Sequence, residues 1–239
     1  MSRRTHALIV EPPEPAGGYA VAALIGSVLV VALVVGGATL AGRTASPLTW
    51  FLSRAAGFVL YGLLWLSLVT GLGLGTHRLD RVASRGLQLS LHAFATQLAY
   101  GFLSLHMLAL LADAHQPLSA RAALLPFVSN WLEPWTGLGI IAAWLLVVIA
   151  VSSGLRKRLG YPAWRALHLL AFPLYALALA HGVRAGSSSN QSWAQAFYLF
   201  TAAVAVGLLG YRLLRVGAKD SPGRADAMGA PVFDRLRGW

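Results

Sequence analysis

Six long apolar runs dominate this chain of 239 residues and set the strongest limit on its fold. A helix needs about 20 apolar residues to cross the hydrocarbon core of a bilayer, and each run is about that long. Only helices and closed barrels satisfy every backbone polar group in lipid, so the sequence predicts six membrane-spanning helices. The runs are Tyr19–Gly42, Trp50–Gly75, Leu87–Ala112, Trp135–Gly154, Pro162–Val183 and Trp193–Val216.

The composition supports this fold class, because 57% of the residues are hydrophobic and only 11% are charged. A soluble globular domain normally carries about 25% charged residues. The first run is too long and lies too far from the start for a removable signal peptide. We therefore expect an all-α integral membrane protein of the cell membrane, with a six-helix bundle over residues 19–216 and tails at 1–18 and 217–239.

The basic residues predict the orientation of this bundle. The net charge is +11, and 15 of the 19 Lys and Arg residues fall on one side of the predicted membrane. Such an excess marks the cytoplasmic side, so both termini are expected in the cytoplasm. The predicted partner of this basic surface is anionic membrane lipid rather than nucleic acid. Only Arg43, Arg54, Arg121 and Arg184 lie on the other side.

Four histidines lie inside the apolar runs, two in the third run and two in the fifth. An ionisable side chain at membrane depth is costly and indicates a functional site. Both runs start on the cytoplasmic side, so His92 is expected to face His168 and His106 to face His181. At 1.5 Å per residue the two levels lie about 20 Å apart.

The pairing of two imidazoles at each level favours haem over a bare metal ion. Zinc or copper would need three or four protein ligands, and the six runs contain no Asp, Glu or Cys. Haem iron already has four porphyrin nitrogens and needs only two axial ligands. The absence of cysteine excludes covalent haem attachment through a C-x-x-C-H motif. The four histidines therefore predict two b-type haems, with His92, His106, His168 and His181 as axial ligands of the iron.

The spacing in the fifth run requires a distorted helix. Thirteen residues separate His168 from His181, which puts them about 140° apart on a straight α-helix. Pro173 lies between them and lacks the N–H that a regular helix needs. We expect the helix to be distorted at Pro173, so that His181 turns toward His106.

Four arginines are candidates for binding the anionic haem propionates. Arg54 and Arg184 are predicted to lie at the outer level, and Arg85 and Arg165 below the inner pair. Anchoring at the membrane interface is the alternative role for each of them.

These motifs resemble the ferric reductase-like transmembrane domain family. The matching segments are "WFLSRAAGFV" in the second run, H-x13-H in the third, and "LGYPAWRALH" followed by "HGVRAG" around the fifth. This family is related to the membrane parts of NADPH oxidases and to the haem subunit of the periplasmic methionine sulfoxide reductase system. The resemblance implies two stacked b-type haems that pass single electrons outward from the cytoplasmic side or from the quinone pool.

The expected function is therefore that of a membrane cytochrome b, an electron-transferring oxidoreductase subunit. Larger relatives carry FAD and NAD(P)H domains, whereas this chain has no G-x-G-x-x-G motif and only a short tail after the sixth run. We expect a separate electron donor, either a flavoprotein or a quinol. The acceptor is expected to be external, such as ferric iron or oxygen, or a periplasmic reductase.

Three alternatives remain open at this point. The nearest is a quinol-fed haem subunit of a periplasmic reductase, which reduction of the haems by quinol alone would favour. A transporter or channel with histidine relays would be expected to show acidic partners or mirrored broken helices, and the sequence shows neither. A purely structural assembly subunit is the third.

Overall fold

The computed structural model describes residues 47–114 and 118–219, and every regular element in this part of the chain is helical. A short 3-10 turn at Leu79–Arg81 connects the first two long helices. The α-helices are α1 (Pro47–Thr76), α2 (Arg85–Ala112), α3 (Ala120–Leu124), α4 (Trp135–Gly154), α5 (Arg156–His168), α6 (Ala171–Ala185) and α7 (Ser192–Lys219).

Five helical segments in the described part are long and apolar enough to cross a membrane. They are α1, α2, α4, the combined α5–α6 segment and α7, which correspond to the second through sixth predicted runs. The prediction of an all-helical integral membrane protein is confirmed for these residues. The first predicted run, Tyr19–Gly42, lies outside the described residues, as do both chain ends. The sixth span and the cytoplasmic termini therefore remain predictions.

Several helices extend a few residues beyond the predicted apolar runs. The last helix continues to Lys219, three residues beyond Val216, because a helical backbone does not end where its side chains become polar. The helical segment of the fifth run begins at Arg156 with a basic turn, which Gly160 separates from the apolar part. Gly160 has φ 74°, a left-handed conformation that glycine adopts without steric cost.

Four of the five described spans pack as two antiparallel pairs that meet at a common core. α1 packs along α2, α4 packs against α5 and α6, and α1 also contacts α6 and α7. Leu64 of α1, Ala99 of α2, Leu146 of α4 and Leu174 of α6 share one buried cluster. In lipid such packing is stabilised by van der Waals contact rather than by the exclusion of water. Each histidine-bearing segment thus lies against a neighbour, α1 or α4, that contributes no histidine of its own to the two pairs.

A chain of hydroxyl groups connects α1, α6 and α7. The Thr201 hydroxyl donates to the Phe197 carbonyl at 2.9 Å, so Tyr61 donates to Thr201 at 2.6 Å and Tyr175 to Tyr61 at 2.8 Å. Hydrogen bonds between membrane helices contribute only about 0.6 kcal/mol on average. The two interhelical bonds therefore fix the rotation of α6 against α1 more than they stabilise the bundle.

The helix is broken near Pro173, as predicted. α5 ends at His168 and α6 begins at Ala171, with Leu169 and Leu170 between them. Pro173 cannot donate to the Leu169 carbonyl, which instead accepts from the Phe172 N–H at 3.1 Å. This tighter turn interrupts the regular helix between α5 and α6, and His181 faces His106.

Candidate functional site

The structure brings the four membrane histidines together in the two predicted pairs. The ring centres of His92 and His168 lie 6.0 Å apart, with 66° between the ring planes. The ring centres of His106 and His181 lie 6.4 Å apart, with 79° between the planes. Because α2 is a continuous helix, the two pairs lie at different heights in the bundle.

Backbone carbonyl groups orient three of these imidazoles through Nδ1. His106 contacts the Ser53 carbonyl at 2.7 Å, His92 the Ser67 carbonyl at 2.8 Å and His181 the Trp135 carbonyl at 2.9 Å. A carbonyl oxygen can only accept, so Nδ1 must carry the proton and donate. In a neutral imidazole the Nε2 atom then keeps its lone pair and is available to a metal.

His168 is held in a different way. Its Nδ1 atom is buried and has no hydrogen-bond partner among the described residues. Its ring stacks on the indole of Trp164, with 5.0 Å between the ring centres and 28° between the planes. The guanidinium of Arg156 lies 4.4 Å from the centre of the same indole. Stacking on Trp164 therefore positions His168, whereas hydrogen bonds to carbonyl groups position the other three histidines.

A cavity of about 780 Å³ opens between His106 and His181. This volume lies within the range of about 300–1,000 Å³ that cofactor and ligand sites occupy. The connection after α3 covers it, since residues 128–132 contribute to its wall. Apolar side chains from α1, α2, α4 and α6 form most of the remaining wall.

Two of the four predicted arginines, Arg54 and Arg184, line this cavity. Arg54 Nε donates to the Ser188 hydroxyl at 2.6 Å, and the Arg184 guanidinium lies 4.6 Å from the centre of the Trp135 ring. The described wall contains no carboxylate, so its charge favours an anionic group.

The other two arginines make contacts away from the histidine pairs. Arg85 Nη1 lies 2.7 Å from His77 Nδ1 and 3.6 Å from the Asp80 carboxylate. Hydrogen bonds with His77 and Gln88, with a smaller contribution from the charge of Arg85, lower the pKa of Asp80 below its usual value of 3.8. Arg165 donates to the Tyr161 hydroxyl at 2.7 Å within its own helix. These contacts lie in the α1–α2 connection and within α5, and they favour the anchoring role for both arginines.

The geometry of the two pairs suits an ion bound between imidazoles. Two metal–imidazole bonds of about 2.0–2.1 Å each, together with the ring radii, place the ring centres about 6 Å apart. Within the described ranges no group of three or more His, Asp or Glu side chains forms a metal site. Each pair offers two neutral nitrogen ligands, the number that haem iron requires. The residues around His106 and His181 thus fit a haem in ligand number, cavity size and charge.

Sequence reasoning missed the groups that orient the histidines. Ser53 and Ser67 on α1, and Trp135 on α4, contribute carbonyl oxygens, and a glycine follows each of them four residues later. The Ser67 hydroxyl also lies 3.1 Å from His92 Nδ1. The detectable pattern was S-x-x-x-G, which occurs at 53–57 and again at 67–71. This repeat has the same fourteen-residue separation as His92 and His106.

Comparison with known families gives one match. The model of the family described as "Ferric reductase like transmembrane component" matches residues 55–179, more than half of the chain. The matched range includes His92, His106 and His168 and ends two residues before His181. No curated protein and no solved structure matches the chain.

Proposed function

The chain belongs to the family of ferric reductase-like transmembrane components, and on this premise we propose that it is a membrane cytochrome b with two bis-histidine b-type haems. Family membership indicates an electron-transfer role of the oxidoreductase type. The observation that carries the haem proposal is the pair of ring separations, 6.0 Å and 6.4 Å, between imidazoles on facing helices. Bound haem would supply the one-electron chemistry of iron.

The protein's own groups prepare the ligands for this role. The Ser53, Ser67 and Trp135 carbonyls hold Nδ1 of three histidines as the protonated nitrogen. This fixes the tautomer, aligns the ring and increases the basicity of the ligating nitrogen. His92 with His168 forms the proposed inner site, and His106 with His181 the outer site.

The cavity between His106 and His181 gives the proposed outer site its electrostatic character. Arg54 and Arg184 are positioned to bind the carboxylates of propionate side chains, while the apolar walls exclude water. Burial and hydrogen bonding of the ligands are the means by which a protein sets the potential of a haem. We propose that Arg54 and Arg184 contribute to binding at this site, whereas Arg85 and Arg165 serve the cytoplasmic turns.

Electrons are proposed to enter at the inner site and leave at the outer one. The proposed donor is a separate flavoprotein or a membrane quinol, and the proposed acceptor is an external molecule or a periplasmic reductase. Arg54 and Arg184 give the wall of the outer cavity a positive charge. This charge favours anionic groups on that side, and it favours the reduced form of a haem bound there.

Vesicles test this function directly. Purified protein loaded with haem is inserted into vesicles that enclose ferricyanide, and a reductant is supplied outside. We expect ferricyanide to be reduced at least about tenfold faster than in vesicles containing the His106→Ala variant, because that variant lacks one outer ligand. A menaquinol analogue and NADH with a flavin reductase are compared as donors, which distinguishes the two classes.

The controls separate transfer from leakage. Protein-free vesicles measure passive leakage, and the His77→Ala variant removes an exposed histidine that contacts Asp80 outside the pairs. His77→Ala is expected to transfer electrons like the wild type. If haem-loaded wild-type protein reduced the enclosed ferricyanide no faster than protein-free vesicles, the proposed function would be wrong.

A further inference from the structure

Three glycines lie directly against three of the membrane histidines. A Cβ atom built on Gly139 would lie 2.6 Å from His181 Nδ1, and one on Gly57 would lie 3.0 Å from His106 Nδ1. A Cβ on Gly71 would lie 3.3 Å from His92 Nδ1. Real Cβ atoms essentially never approach other heavy atoms closer than 3.0 Å, so alanine at Gly139 requires movement of the imidazole or the helix. At Gly57 and Gly71 the contact is tighter than in most packed structures, so the imidazole must shift by a few tenths of an ångström.

Each glycine follows the carbonyl that accepts from its histidine by four residues. The three carbonyl–glycine pairs are Ser53–Gly57, Ser67–Gly71 and Trp135–Gly139. Side chains on a helix point toward its N-terminus, so the residue at i+4 normally covers the carbonyl of residue i. Glycine at i+4 leaves that carbonyl open to a group from another helix.

We propose that Gly57, Gly71 and Gly139 are positioning residues, each of which opens one backbone carbonyl to the Nδ1–H of one haem-ligating histidine. This inference rests on the proposed function, because it assigns the three glycines to ligand orientation. They are not catalytic residues, since they act only through His106, His92 and His181.

The fourth histidine, His168, has no carbonyl–glycine pair. The two sites therefore differ in how their ligands are oriented. On α4 the position fourteen residues after Gly139 is Ser153, whose hydroxyl accepts from the Trp164 indole N–H at 3.4 Å. Trp164 in turn stacks on His168. The outer site thus has two histidines oriented by carbonyl groups, and the inner site has one. Because a hydrogen bond to Nδ1 strengthens the ligand, His168 is inferred to be the weakest of the four.

Alanine substitution at each glycine tests the proposal. Intrinsic preference favours alanine over glycine in a helix, so any loss must come from the contact with the histidine. Loss of a group that orients a metal ligand typically lowers affinity about 10–100-fold, and we expect haem affinity to fall within this range. The expected order of loss follows the distances, with Gly139→Ala largest, Gly57→Ala next and Gly71→Ala smallest. Gly139→Ala and Gly57→Ala should affect the outer haem, and Gly71→Ala the inner one.

One glycine of α1 and one of the histidine-bearing helix α2 provide controls. A Cβ on Gly62 of α1 would make an ordinary contact at 3.7 Å with Phe197, and one on Gly101 of α2 would meet no described atom within 4 Å. Gly62→Ala and Gly101→Ala are therefore expected to retain wild-type haem content. Each variant is measured for haem per chain, for the electron paramagnetic resonance of the low-spin iron and for the two midpoint potentials. Helix content by circular dichroism identifies any variant that fails to fold.

The outcomes separate this inference from the proposed function. Wild-type protein without haem would contradict the proposed function itself. Wild-type protein with two haems, combined with Gly139→Ala and Gly57→Ala proteins of unchanged content, resonance and potentials, would overturn only the role of the glycines. Should Gly139→Ala misfold, Gly71→Ala still tests the role of the glycines. Its Cβ would lie only a few tenths of an ångström closer to His92 than ordinary packing allows, so this variant is expected to fold. A folded Gly71→Ala protein with altered inner-haem resonance supports the role, and an unaltered one opposes it.

Discussion

His181→Ala is expected to remove the outer haem and leave one haem per chain. His181 Nδ1 contacts the Trp135 carbonyl, and Gly139 leaves room for the imidazole ring. The ring centres of His181 and His106 lie 6.4 Å apart. No other described histidine lies at that level, so the iron would lose an axial ligand without replacement. The outer haem affinity should fall by more than the roughly 100-fold upper range for loss of an orienting group, because the ligand itself is lost. Haem content per chain and electron transfer into vesicles measure the effect.

Imidazole in solution offers a chemical rescue of this variant. Removal of the ring leaves an imidazole-sized space beside Gly139, and the Trp135 carbonyl remains available to a new N–H donor. Millimolar imidazole should therefore restore the second haem in His181→Ala but not in the double variant His181→Ala/Gly139→Ala, where the added methyl group fills part of that space. A His181→Ala protein that retained two low-spin haems without imidazole would contradict the assignment of the outer ligands.

His168→Ala is expected to remove the inner haem and stop transfer from the cytoplasmic side. Its ring centre lies 6.0 Å from that of His92, and only its stacking on Trp164 holds it among the described contacts. The outer haem should persist, since both of its ligands keep their carbonyl partners. A reductant confined to the outer side should still reduce this remaining haem, whereas a donor on the inner side should not.

Trp164→Phe is the matched control for the inner site. Phenylalanine retains an aromatic face for His168 but loses the N–H that contacts Ser153. It should keep both haems, with a small shift confined to the inner midpoint potential. Unimpaired transfer from the inner side in His168→Ala would show that electrons do not pass through this histidine.

Hydropathy was sufficient to predict the described spans, because a bilayer imposes a minimum apolar length on each helix. The break near Pro173 was also predictable, since the thirteen-residue spacing of His168 and His181 would place them on different faces of a regular helix. Both predictions depend on backbone geometry, which follows directly from the length of an apolar run and from the spacing of residues along it.

The orientation of side chains was less accessible from sequence. Pairing of a histidine with a carbonyl depends on the rotation of α1 or α4, which packing sets and hydropathy does not record. Arg85 and Arg165 lie near the inner histidines in sequence, yet they bind Asp80 and Tyr161. The carbonyl–glycine pairs became recognisable only when the contacts of the imidazoles were known.

The most direct test of the account is the haem content of the purified wild-type protein. The protein is expressed with ample haem, purified in mild detergent and assayed for haem per chain, with a reduced-minus-oxidised spectrum and low-temperature resonance of the oxidised iron. The account predicts two low-spin b-type haems per chain, each with bis-imidazole ligation. A folded protein that binds no haem, or one whose iron carries no histidine ligand, would contradict it.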